Sequence, residues 1–139
     1  MSAHKNQIIS VGQIKADIIM AEKAIEEAKA STPKLSKFLK GQAGYHIQQA
    51  TEKIIKYQIY NSGAKTDNTK MYKHSINDLI TYANTLGIDI LIPSFIDKHA
   101  IQITSWEAEG RYNIHFVARM DTLEKHLSIV KHWFDDVSK

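Results

Sequence analysis

Apolar residues recur three and four positions apart along almost the whole chain. Val11, Ile14, Ile18, Ala21, Ile25 and Ala28 step in that rhythm. So do Ala43, Ile47, Ala50, Ile54 and Tyr57, then Ile96, His99, Ile103 and Trp106, and finally Leu123, Leu127, Val130, Phe134 and Val137. A helix has 3.6 residues per turn, so each series falls on one face of a helix. No segment shows the strict alternation of a half-buried strand.

Local signals set the expected boundaries. Ser10 followed by Gln13 is a capping box at the start of the first helix. Ser31-Thr32-Pro33 ends it, because proline disfavours helical geometry in the residue before it. The second helix is expected from about Ser36 to Asn61, closed by Asn61-Ser62-Gly63. Its face opposite the apolar stripe carries Gln48, Glu52 and Lys56, with Gln49 and Lys53 beside them. Residues 62–73 read as a polar loop. Ser75 with Asp78 opens a short helix bearing Ile76, Leu79, Ile80 and Ala83, which Gly87 closes. Ser94 with Asp97 repeats the box after Pro93, and Gly110 is expected to end that helix. The last helix starts between Arg119 and Asp121.

Five helices with one apolar stripe each must bury those stripes against one another. The expected fold is all-α: a single domain over 1–139, an antiparallel up-and-down bundle of four long helices plus one shorter helix. Leftover apolar face makes a homodimer the expected assembly. The 139 residues are 43% hydrophobic and 24% charged, unlike a disordered chain. The absence of cysteine excludes disulfides and thiolate metal sites. The longest apolar runs are too short to cross a bilayer. Met1–Gln7 lacks the apolar segment of a signal peptide, so a cytoplasmic location and no membrane partner are expected.

Charge is uneven. Residues 1–61 hold nine lysines and five acids. No acid falls between Glu27 and Glu52, where Lys29, Lys34, Lys37 and Lys40 lie. Such a patch can attract phosphates, but on charge alone a solvated helix end is the better account, since a dedicated nucleic-acid binder is usually more basic.

Helix bundles host di-iron centres through Glu-x-x-His pairs. No glutamate here is followed by histidine three residues later. His-Glu-x-x-His, a phosphate-cradling glycine loop and Gly-x-Ser-x-Gly are also absent. No metal site and no cofactor are expected. The two arginines of the chain, Arg111 and Arg119, fall close to His115 and His126. Arginine holds phosphate in a planar fork, and histidine moves protons near neutral pH. Together these types can cleave RNA without metal: histidine assists the 2′-hydroxyl and arginine stabilises charge at phosphorus.

Three stretches together resemble the HEPN family of small helical bundles. The first is Ala43 through Lys56, AGYHIQQATEKIIK, similar to the family's second-helix pattern of Gln, Ala, Glu-Lys and a later Lys. The second is His74-Ser-Ile-Asn-Asp-Leu, opening the third helix. The third is Glu109-Gly-Arg-Tyr, similar to an Arg-Tyr-Pro step before the last helix, with Asn113 in place of the proline. The resemblance spans about residues 8–137 and implies a nucleotide-associated or interaction module. Such modules accompany a separate minimal nucleotidyltransferase, as in toxin–antitoxin pairs. Lys53, Lys56, Arg111 and Tyr112 would then lie nearest a phosphate, a nucleotide or the partner.

The resemblance also implies an alternative, a metal-independent ribonuclease. Catalytic members carry arginine and histidine separated by four to six residues, paired across a dimer. Arg119 and His126 match with six, whereas Arg111 and His115 have three between them, one too few. A purely structural homo-oligomer is the third expectation. Structural roles compete at every one of these positions. Glu52 and Lys56 make an ordinary i,i+4 surface pair. Arg111 and Tyr112 anchor a loop, and tyrosines more often pack helices than stack on bases.

Overall fold

A computed structural model describes residues 9–112 and 118–139, and the side chains of all of these except 109–112. The described residues form seven helices and no strand. They are α1 (Val11–Ala30), α2 (Pro33–Asn61), α3 (Asn68–Met71), α4 (Ile76–Thr85), α5 (Ser94–Lys98), α6 (Ala100–Tyr112) and α7 (Met120–Val137). The all-α expectation holds, but seven helices replace the expected five.

Several boundaries follow the capping chemistry. Ser10 Oγ accepts from Gln13 N at 3.2 Å, and Gln13 Oε1 accepts from Ser10 N at 2.8 Å. Ser75 Oγ accepts from Asp78 N at 3.2 Å. Gly87, at φ +73°, takes the left-handed position after α4 that a β-carbon would disfavour.

Five features differ from expectation. Helix α2 starts at Pro33 rather than Ser36, because Thr32 Oγ1 caps Leu35 N and proline at the first helical position forfeits no hydrogen bond. The expected loop 62–73 contains α3, nucleated by Asp67 accepting from Thr69 N at 2.8 Å. Ser94 does not cap: Pro93 occupies that position and no side chain caps the helix. The helix expected over 94–110 is broken at His99, whose φ of −107° and ψ of 16° leave the helical region. Its downstream half then runs through Gly110 to Tyr112. One glycine costs a helix about 1 kcal/mol, too little to end it unaided.

Helix α2 is central, packing against α1, α4, α6 and α7. Helices α1 and α2 are antiparallel, joined by a two-residue turn. Helices α1 and α7 are also antiparallel, since Lys29 pairs with Glu124 at 2.6 Å and Glu22 with Lys131 at 2.7 Å. The core lies along the apolar stripes. Ile14, Ala21, Ala43, Ile47, Ala50, Ile54, Leu79, Ile103, Leu123 and Val130 are fully enclosed. Alanines on both α1 and α2 let the two long helices approach closely.

Candidate functional site

The polar face of α2 is interior, which corrects the expected surface pair. Gln48, Glu52 and Lys56 lie four residues apart, and all three are buried. Lys56 Nζ donates to Glu52 Oε2 at 2.8 Å. Glu52 Oε1 accepts from Gln48 Nε2 at 3.1 Å and from His74 Nδ1 at 3.0 Å. Gln48 Nε2 also donates to the His74 carbonyl at 3.1 Å. This network ties the entry of α4 to the middle of α2. A carboxylate that is 4% exposed needs such a set of donors, because an unpaired charge there would be costly to bury. The His74 ring itself is largely exposed.

Lys53 lies on a different side of α2, turned toward α1. Its Nζ donates to Asp17 Oδ2 at 2.6 Å, and His46 Nδ1 donates to Asp17 Oδ1 at 2.9 Å. Asp17 is therefore shared between a lysine and a histidine, as Glu52 is. Each expected phosphate-binding lysine already holds a carboxylate. An incoming phosphate has to displace that carboxylate before it gains a full positive charge.

Arg111 and Tyr112 occupy the last turn of α6. Their side chains lie outside the described residues. His115 also lies outside them.

The Arg119 and His126 side chains have opposite environments. Arg119 precedes α7 and is 81% exposed, pairing with Asp121 through Nε at 3.3 Å. His126, two turns along, is 1% exposed. Its ring meets Phe95, Trp106 and His99 edge-on, with centroids at 4.7, 4.9 and 5.7 Å. The Nδ1–H donates to the Thr122 carbonyl at 2.8 Å. That leaves Nε2 carrying the lone pair, with no hydrogen-bond partner. Burial pushes the imidazole below its usual pKa, and His99 and Lys125 act in the same direction against the Thr122 carbonyl. The ring is thus neutral at pH 7, a chemically competent base, but this protomer encloses it.

The sequence offered a signal for this cluster. Phe95 and His99 are four apart, and their rings stack with centroids at 4.2 Å. His99 Nδ1–H donates to the Phe95 carbonyl at 2.8 Å. No comparable signal marked Asp17 as a buried carboxylate, since it falls between the stripe residues Ile14 and Ile18.

Among the described residues no three histidines, aspartates or glutamates gather as a metal site. No helix among them is long and apolar enough to cross a membrane. No protein-family model, curated protein or solved structure matches the chain.

Proposed function

We propose that this chain is a HEPN-type helical module that works by association rather than by cutting RNA. It forms a homodimer and serves a nucleotide-linked system together with a separate minimal nucleotidyltransferase. The observation that carries this reading is the enclosure of His126 while Arg119 stands exposed. The carboxylate pairing of Lys53 and Lys56 supports the same view. It makes that face a structural strut and a weak competitor for free phosphate.

Purified protein incubated with mixed RNA in chelator tests the proposal. Intact RNA is the expected result. Fragments ending in 2′,3′-cyclic phosphate that disappear in both Arg119→Ala and His126→Ala would overturn it. Thermal-shift assays with ATP and GTP address the nucleotide link. A ligand at one hundred times its dissociation constant adds about 2.7 kcal/mol.

One observation favours the ribonuclease reading. His126 Nε2 is a buried, unpartnered lone pair on a neutral ring, the form a general base requires. A dimer that opened the Phe95–Trp106 cover would bring it into play. The RNA assay decides between the two readings.

A further inference from the structure

The turn between α1 and α2 leads into a helix start of unusual character. Leu35 and Phe38, three apart on α2, are 51% and 48% exposed. Lys34, Lys37 and Lys40 form the adjoining stripe. None of these three pairs with a carboxylate among the described residues, whereas Lys29, Lys53, Lys56 and Lys131 all do. The two apolar side chains gain nothing from facing water, and the lysine stripe runs along one side of them.

A complementary surface lies elsewhere on the same chain. Helices α1 and α7 flank an open groove of about 410 Å³ over Ile25 and Leu127, lined by Glu22, Glu26, Glu124 and Asp135 and also by Ser128, Lys131 and His132. Glu22 and Glu124 are taken by Lys131 and Lys29. Glu26 and Asp135 have no cation partner among the described residues. Two free carboxylates, Glu26 and Asp135, therefore outnumber the free cations of the groove, and a stripe of free lysines runs beside an exposed apolar pair. That is the pattern of a helix face seated in a hydrophobic groove, with charges setting its orientation.

We infer that the occupant of the groove is a second copy of this chain: Leu35 and Phe38 of one protomer sit between α1 and α7 of the other, and the reciprocal contact closes the pair. The inference rests on the self-association proposed above and names its surfaces. Reciprocal exchange satisfies two-fold symmetry, whereas one-way seating would propagate into a filament. Charge steers the approach, and burial of Leu35 and Phe38 holds it.

Sedimentation of the full chain and two charge-reversed forms tests this. One carries Lys34→Glu, Lys37→Glu and Lys40→Glu, and the other Glu26→Lys and Asp135→Lys. The wild type should be dimeric, and its dimer should weaken as salt is raised. Each variant alone faces like charge and should dissociate about tenfold more readily or worse. Mixed in equal amounts they should recover the dimer, because an acidic knob then meets a basic groove and a basic knob an acidic one. Circular dichroism of each variant checks that the helices persist. If either form unfolds, Leu35→Ser with Phe38→Ser at the same exposed positions should weaken the dimer instead. A wild-type dimer that neither substitution set weakens overturns the surfaces and leaves the association standing. A wild type that stays monomeric at every concentration overturns both.

Discussion

Lys56 Nζ lies 2.8 Å from Glu52 Oε2 on consecutive turns of α2, and both residues are closed off from solvent. The pair is a buried junction where α2 receives the start of α4 through His74. A buried ion pair is costly to assemble and far more costly to halve.

Glu52→Ala therefore leaves Lys56 charged and unpartnered, and should destabilise the protein by about 3–5 kcal/mol. Lys56→Met should cost only about 1–2 kcal/mol, since Glu52 keeps Gln48 and His74 as donors. Urea unfolding of the two variants checks the order. Equal losses would mean that the network does not share Glu52 in this way.

Asp17→Ala should be milder, at about 1–2 kcal/mol. It too frees a lysine and a histidine, but Lys53 and His46 keep 24% and 19% of their side-chain surface exposed. Both can turn to water. The same urea titration should rank this variant between wild type and Glu52→Ala.

His126 gives stability a pH dependence of known sign. Its folded-state pKa is below the ordinary 6.5, chiefly because of burial. The unfolded chain therefore binds the proton more readily than the folded one. Stability from this group is complete above pH 6.5 and is lost as pH falls from there toward the lowered value. Thermal melts between about pH 8 and pH 5 should show a steeper fall for wild type than for His126→Leu. Parallel curves would place the ring in water.

Trp133 Nε1 donates to the Leu91 carbonyl at 2.7 Å, and Gln58 grips the same residue through Leu91 N at 2.7 Å and Leu91 O at 2.9 Å. This clamp fixes the extended segment before α5 against the ends of α2 and α7. Trp133→Phe should cost about 2 kcal/mol, combining one hydrogen bond and some lost packing. The carbonyl keeps Gln58, so the loss should stay well below that of Glu52→Ala. Equilibrium unfolding followed by circular dichroism provides the comparison.

Local chemistry made much of the chain legible. The three-and-four spacing of Ile47, Ala50 and Ile54 favours a helix, because helix geometry gathers those positions on one face. Ser10, Ser75 and Gly87 mark ends through bonds or dihedrals confined to a few neighbouring residues. Such features are local, so the sequence alone determined the all-helical class of the described residues and the ends at Ser10, Asn61, Ser75 and Gly87. What a polar residue on such a helix faces is a different matter. Glu52 and Lys56 have the spacing of a solvated pair, and only the arrival of His74 from another helix makes them interior. His126 and Arg119 fit a catalytic spacing, yet Phe95 and Trp106 close over one and leave the other in water. Likewise the break at His99 comes with its ring stacked on Phe95 and edge-on to His126. Burial depends on which distant elements meet, and helical period carries no record of that. The tertiary structure alone decided which charges became struts and which stayed free.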